Sequence, residues 1–514
     1  MKRLFRVAVL VAVTGVVLPV SGFAADKFSE ARASIQRHMV EKGVPGMAVA
    51  VWKDGKILWE EGFGWADREN RVAASEHTMF CLASLSKSLT ATGLMTLVQA
   101  GKIDLDHPVN DYLGDDKLRS AIADPRNATV RRVADHTSGL TPADRFFYGA
   151  DAALMPSMDV MIRRYGLLVR EPGRYEYSNM GYGVLGHAMA RVSGKTYANF
   201  MREEVFLPLG MTHSSVDVGP ELAKHQSVRY DYTGKPIPYY VSAVPASASI
   251  FSSAHDLARF GMFFLKDRLP DQRAILSDAS IDRMTSDPVA VDADEQYGIG
   301  WEMVRKGGYQ LVQHSGSTSG VHTIFILIPS ENLGMVLLAN IDGGVRASRG
   351  SLTVDILKTL LPKWRDAKAQ SASAEEEAPF KPTPALTGTW QGTVSTYEGT
   401  LPIRLQIAPS GEVHTLIGEN SRWRGRSSLQ QPALLNDVAF KDGELTGTSL
   451  SQIETSDSSL HPHSSTLQLT LRDGVLSGTV TASSVYTGLW IYSFPYWAEL
   501  KKVAADAAVT QRTQ

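Results

Sequence analysis

The stretch from Asp366 to Pro384 constrains this chain more than any other feature. Small, polar and acidic residues run into Pro379, Pro382 and Pro384, with neither helical nor strand periodicity. Such composition is that of a linker, because it offers no apolar face to bury. It divides the 514 residues into a large unit over 25–365 and a small one over 385–503, with a tail over 504–514. The total length is too great for one ordinary domain, which agrees with that division.

Within the large unit, β-prone runs stand at both ends. Gly46 to Val51 is apolar and is followed by Lys53-Asp54-Gly55-Lys56 and then Ile57-Leu58-Trp59. An Asp-Gly pair between such runs predicts a tight hairpin, since the turn needs positive φ. Ser84 to Ala100 predicts a helix with Leu85, Leu89, Leu94 and Leu97 on its apolar face and Gly101 at its stop. Strands return at Leu311-Val312, Val321 to Ile328 and Met335 to Leu338, and a helix from about Val345 to Leu361 closes the unit. Strands first, helices in the middle and hairpin-linked strands last imply one antiparallel sheet assembled from both ends, flanked by helices and a helical subdomain. The fold class is α/β (α+β).

Beyond the linker, alternation takes over. Ile403, Leu405 and Ile407 alternate with Arg404 and Gln406, as do Leu467, Leu469 and Leu471 with Gln468 and Thr470. Asp442-Gly443 and Asp473-Gly474 each open a similar stretch. Short, evenly spaced strands with turn signals predict a small all-β barrel or sandwich. Gly388-Thr389-Trp390 looks like the opening motif of lipocalin first strands, and a tryptophan plugging any small barrel fits it equally.

The first two dozen residues predict export. Lys2, Arg3 and Arg6 precede an apolar stretch from Val7 to Leu18, and Gly22 and Ala24 suit a cleavage site before Ala25. The apolar run is shorter than the ~20 residues of a spanning helix, so residues 1–24 read as a signal peptide and the product as periplasmic or secreted. Cys81, the only cysteine, excludes an internal disulfide and reads as a small buried apolar residue. A net charge of -2 gives no basic field for nucleic acid.

Three short motifs carry chemistry. In Ser84-Leu85-Ser86-Lys87 the hydroxyl and the amine share one helix face. A lysine whose pKa is lowered can hold the serine's proton, and the Ser84 N–H at a helix start can face a developing oxyanion. In Tyr177-Ser178-Asn179 the phenol can relay a proton if a nearby ammonium favours its ionised form, and the amide can face both the lysine and a substrate carbonyl. His314-Ser315-Gly316 follows the Leu311-Val312 strand and offers small residues against which a substrate backbone can lie.

Together these motifs resemble the serine β-lactamase and penicillin-binding-protein superfamily, most closely its class C-like branch of DD-carboxypeptidases, D-aminopeptidases and esterases. The resemblance extends to Phe80 to Lys87, Gly101 to Leu113, His136-Thr137-Ser138-Gly139-Leu140, Pro172 to Gly186, Pro208-Leu209-Gly210-Met211, Ser253 to Phe260 and Tyr297 to Trp301. It spans roughly residues 30 to 360. It implies that Ser84 is acylated, that Lys87 and Tyr177 share the general-base work, and that Asn179 orients Lys87 and the substrate. It places the oxyanion between the N–H groups of Ser84 and Ser317, with His314 and Gly316 beside the substrate, and makes His136 structural.

One departure matters. Many β-lactamases carry lysine where this chain has His314, and a histidine near its reference pKa of about 6.5 is mostly neutral at neutral pH. That moves the expectation from penicillin destruction towards a D-amino-acid peptide (carboxypeptidase or aminopeptidase) or a small ester. The alternatives are a β-lactamase, or a protein that binds penicillin or peptidoglycan fragments with little turnover. No H-E-x-x-H, cysteine cluster or G-x-S-x-G elbow is present, so neither a metal nor a cofactor is expected, and an α/β-hydrolase is disfavoured. The expected partners are small-molecule or peptide substrates. The small barrel is expected to shape access to the first domain's cleft.

Overall fold

The computed structural model describes residues 27–217, 219, 221–341, 349–365, 379–423 and 426–503. The expected signal peptide, most of the linker and the tail lie outside them. The larger unit runs α1 (Ser29–Lys42), β1 (Gly46–Lys53), β2 (Lys56–Asp67), α2 (Ser86–Gln99), β3 (Asp144–Tyr148), α3 (Asn179–Ser193), α4 (Ala254–Phe264), β4 (Tyr309–Thr318), β5 (Val321–Ile328), β6 (Leu333–Ala339) and α5 (Arg349–Leu360), with shorter elements between them.

The sheet is built from both ends of the unit. β1 pairs antiparallel with β2 on one side and with β6 on the other, so early and late strands meet inside a nine-stranded sheet. The β1–β2 turn has Asp54 at φ 50° and Gly55 at φ 70°, the positive-φ pair that matches the twist of a two-residue hairpin. Along β1 the side chains alternate between two cores. Met47, Val49 and Val51 join Ile35 of α1 and Ile356 of α5, whereas Ala48, Ala50 and Trp52 join Leu89 of α2 and Phe260 of α4. Trp52 fills a slot that only glycines leave open: a Cβ on Gly261 of α4 or Gly334 of β6 would collide with its indole. Close approach of backbone to ring is the reason for both glycines.

The smaller unit is all β. Its main sheet runs from Ala433–Leu434 through Val413–Ile417, Gly399–Ile407, Gly388–Thr396, the long β7 (Leu489–Lys502), Val475–Tyr486, Ser464–Arg472 and Glu444–Ser449 to Asn436–Lys441. Only Leu435 separates the two ends of that path, so the sheet nearly closes on itself as a barrel-like layer. Asp442-Gly443 and Asp473-Gly474 both adopt the positive-φ turn expected of them. Leu445, Leu467, Leu469, Val480 and Phe494 fill the interior. Trp390 is buried and donates its indole N–H to Leu386 O at 2.8 Å.

The two units meet along a strand. Tyr492 and Ser493 of β7 pair with Arg145 and Asp144 of β3, which extends the barrel sheet into the larger unit. Beside this seam Asp457 accepts from Arg145 at 2.6 Å, Arg164 at 2.8 Å and Tyr165 at 2.8 Å.

Candidate active site

The Ser84 hydroxyl stands where a short 3-10 turn, Ala83–Leu85, runs into α2. Ala83 has φ 47°, a left-handed conformation that costs an L-residue about 1–2 kcal/mol. The turn is clamped from behind by β4 and β5. Thr323 donates to Leu82 O at 2.9 Å, and a Cβ at position 316 would collide with that same carbonyl. Gly316 is therefore small so that β4 can lie against the serine's turn. β4 runs through Thr318 rather than ending at Val312, because Gln313 to Thr318 keep their antiparallel pairing with β5. His314, Ser315, Gly316 and Ser317 thus belong to the strand itself.

Lys87, on the first turn of α2, is completely buried. Its ammonium group donates to Ser84 Oγ at 3.2 Å, Asn179 Oδ1 at 2.8 Å and Ser247 O at 3.2 Å. Burial lowers its pKa to about 7, against the opposing pull of Asp144 and Glu302. A neutral amine is therefore available beside the serine near neutral pH.

Tyr177 and Asn179 arrive on the N-terminal end of α3. Ser178 is its N-cap, accepting from Gly181 N at 2.9 Å and donating to Thr141 O at 2.5 Å. His136 completes the hold. Its Nδ1 accepts the Ser178 N–H at 3.1 Å, and its ring lies 4.4 Å from that of Tyr177, centroid to centroid. Burial pushes the His136 pKa well down, which keeps the lone pair that this contact requires. The Tyr177 ring sits 4.7 Å from Lys87 Nζ. The phenol's pKa is raised, not lowered, and burial is the dominant cause. The ammonium faces the ring rather than the phenol oxygen, so Tyr177 is a neutral phenol that can pass a proton but does not supply an anion.

His314 turns inward. Only 1% exposed, it places Nδ1 2.7 Å from Ser315 O and Nε2 3.0 Å from Tyr297 Oη. Both nitrogens are engaged in the neutral ring, and burial lowers its pKa to about 3. It presents no cation at neutral pH.

Two features of the site were not legible as motifs. Asp144 of β3, 2% exposed, accepts from Asn179 Nδ2 at 3.3 Å, Ser242 Oγ at 3.0 Å and Arg145 N at 2.7 Å. It fixes which end of the Asn179 amide faces Lys87. Burial raises its pKa to about 6, against its hydrogen bonds and the Lys87 charge. The second feature is the Ser247 carbonyl. Neither lies within 30 residues of a motif residue it touches, and only the fold brings them in. The rim beside β4 comes from the smaller unit: Tyr148 donates to Trp490 O at 2.7 Å, and Trp490 N donates to Ser319 Oγ at 3.0 Å.

Comparisons with known proteins bear on the family and the fold. A family model described as Beta-lactamase matches residues 31–358. Protein flp of Staphylococcus aureus (strain N315) is 28% identical over 316 residues, covering 60% of this chain and 62% of its own length. Two solved structures share the fold. An octameric penicillin-binding protein homologue from Pyrococcus abyssi superposes with TM-score 0.54 at 22% identity, over 91% of this chain and 99% of its own. A class C β-lactamase from Rhodobacter sphaeroides gives 0.54 at 23% identity, over 64% and 99%.

Proposed function

The chain belongs to the beta-lactamase family and is a serine hydrolase, and on that premise we propose that it acts through an acyl-enzyme on a D-amino-acid peptide or a small ester. The observation that carries the reading is the buried Lys87 amine, with a pKa of about 7, at 3.2 Å from Ser84 Oγ. In the proposed reaction neutral Lys87 takes the Ser84 proton as Oγ attacks the substrate carbonyl. The N–H groups of Ser84 and Ser317 hold the oxyanion, Asn179 orients the substrate, and Gly316 lets it lie along β4. The proton reaches the leaving group through the Tyr177 phenol. Water, deprotonated by the same lysine, then attacks the acyl carbon and returns the proton to Ser84.

The neutral, inward His314 supports the choice of substrate class. It offers no positive charge for a carboxylate beside the scissile bond, as in a penicillin, which favours an ester or a D-amino-acid amide lying along β4 over a substrate that depends on such a charge. We further propose that residues 25–365 form the hydrolase domain, 366–384 a linker and 385–503 a barrel domain, and that the protein works after export with residues 1–24 removed. Among the described residues no helix is long and apolar enough to cross a membrane.

The test is purified protein assayed against a D-Ala-D-Ala peptide, a D-alanine anilide, a short-chain nitrophenyl ester and nitrocefin, with Ser84→Ala as control. Turnover of a peptide, the anilide or the ester, with a Ser84-dependent covalent adduct, is expected. An adduct without turnover of any substrate would replace the hydrolase reading with that of a binding protein, and nitrocefin as the best substrate would make it a β-lactamase.

A further inference from the structure

Four of the chain's 13 histidines meet around the segment that leads to Ser84, and none of them has a part in the chemistry described above. Their rings form a continuous row. His255 lies 4.9 Å from His77, His77 lies 5.1 Å from His213, and His213 lies 4.7 Å from His225, centroid to centroid. Each is half-buried, and each comes from a different stretch of chain. Neutral imidazole rings pack at such distances as other aromatic rings do, whereas imidazolium rings repel one another. Among the described residues no three such donors are arranged to hold a metal ion. The ligand these rings share is the proton.

The row is tied to the nucleophile through backbone. His255 N donates to Glu76 O at 3.1 Å, and Met79 N donates to His225 O at 2.8 Å. The strand Phe80–Cys81 follows at once. It pairs with Ile250–Ser252, which pairs in turn with Ser214–Val216. His213 immediately precedes that third strand. Two residues past Cys81 the chain enters the Ala83–Leu85 turn that holds Ser84. Charge around the row is unevenly spread. Glu60 of β2 lies 2.9 Å from His255 Nδ1, and Glu76 lies 3.5 Å from His77 Nε2. Arg259 of α4, near His255, is held by Asp271 at 2.9 Å. Lys224 stands next to His225 at the other end, where the buried Asp256 directs one oxygen at His213 N and Ser214 Oγ, both at 2.7 Å. Burial, then the other histidines and Lys224, lower the His213 pKa; burial and Lys224 lower that of His225. The Glu60 hydrogen bond raises that of His255.

We propose that this row is an acid-sensitive latch on the strand that carries Ser84, shut while the rings are neutral and opened when His213 and His225 take up protons beside His77 and His255. Folded, His213 and His225 hold protons less well than they do unfolded. Their contribution to stability is therefore present above the unfolded pKa of about 6.5 and is lost as pH falls. His255 works the other way, because its pairing with Glu60 is present at low pH and is lost as pH rises. Two groups against one leave a net loss in acid, and the Glu60 pair delays the opening to below about pH 5. Opening frees Phe80–Cys81 from its neighbours and with it the turn of Ser84. The effect on turnover rests on the hydrolase reading; the latch itself does not.

Cys81, the single cysteine, is buried in that strand and free, so it reports the opening directly. Full-length protein is labelled with a dithiodipyridine reagent, which reacts with thiols in acid, at about pH 7.5 and about pH 4.5, each rate taken relative to the unfolded chain at the same pH. Hydrogen exchange is followed in parallel over residues 76–82, 212–216 and 249–253. Labelling should be at least tenfold faster in acid and should return to its first rate at neutral pH, with exchange in the three segments rising ahead of β1 and β6. The His213→Gln/His225→Gln pair should hold the rate within about threefold of its neutral value. Glu60→Gln removes the one pair favoured by acid and should move the opening to higher pH. His225→Gln alone gives a smaller effect in the direction of the pair, should the pair fail to fold. Unchanged labelling of Cys81, equal opening in the histidine variants, or simultaneous exchange in β1 and β6, the mark of global acid unfolding, overturns the latch. Neither readout uses a substrate, so an opening latch in a protein without Ser84-dependent turnover keeps this inference and defeats only the hydrolase reading.

Discussion

Replacing Asp144 with asparagine is the sharpest way to probe the charge balance around Ser84. The change keeps shape and removes one buried negative charge. Asn179 bridges Lys87 at 2.8 Å and Asp144 at 3.3 Å. Adding the width of an amide puts the two charged groups roughly 7 Å apart, and an effective dielectric of about 20 makes their attraction about 2.4 kcal/mol, or a little under 2 pH units. Asp144 is the larger of the two carboxylate influences that hold the Lys87 pKa up to about 7 against burial. Without it the amine should lose its proton more readily. The acid limb of kcat/KM for a nitrophenyl ester, set by the protonated lysine, should therefore move from near pH 7 to between about 5 and 6. The plateau should also fall, because the new amide presents a donor where Asn179 already donates. A tenfold drop in kcat with the expected downward shift fits a residue that positions Asn179 and balances Lys87. If the acid limb stays within about 0.3 of a pH unit while kcat falls, the electrostatic argument is wrong and Asp144 serves packing alone.

Three further outcomes follow from the packing and the charges. Gly261→Ala drives a methyl into the buried Trp52 indole and should cost about 1–3 kcal/mol, read as a lower urea midpoint with unchanged slope. Asp457→Ala leaves Arg145 and Arg164 without their shared carboxylate and should destabilise the seam by about 3 kcal/mol, measured by hydrogen exchange in β3 and β7. For Lys87 the folded pKa of about 7 lies below the unfolded value of about 10.4, so the unfolded chain holds a proton that the folded chain has released. Between pH 7 and 9 this group should make stability rise with pH by about 2–3 kcal/mol in all; Lys87→Met should remove that rise, and an identical slope in the variant would contradict the assignment.

What the sequence made legible was local or periodic. Asp54-Gly55, Asp442-Gly443 and Asp473-Gly474 announce their turns because a two-residue hairpin needs positive φ at both positions, and few other residue pairs tolerate it. The two-ended sheet was legible because apolar runs of strand length stood at both ends of the unit. The leucines after Ser84 predict a helix, and it starts two residues later, over Ser86–Gln99, because the serine itself sits on a tighter turn held by β4 and β5. The passage from Gln313 to Thr318 was harder to read. Polar and small residues carry no strand periodicity, and pairing with β5 overrides their weak propensity. Asp144 was out of reach altogether. An aspartate before Arg145-Phe146-Phe147 has no motif, and its role depends on Asn179, 35 residues away.

The same residue shows how the smaller unit supports the site of the larger one rather than merely following it. Asp144 is the position at which β3 takes Ser493 as its partner, and the neighbouring Arg145 carries the contact to Asp457 at 2.6 Å. A short strand of five residues has little to hold it flat on its own. Here it is paired on one side with β7 and on the other with Tyr240–Ser242, and Ser242 donates to the Asp144 carboxylate. The orientation of Asn179, and through it the proton affinity of Lys87, is thus supported by backbone pairing that originates in the C-terminal sheet. Loosening that pairing without touching any group near Ser84 would release Asp144 before it unfolded either unit. Local opening of β3 and loss of turnover should therefore appear together, at a denaturant concentration below the main transition.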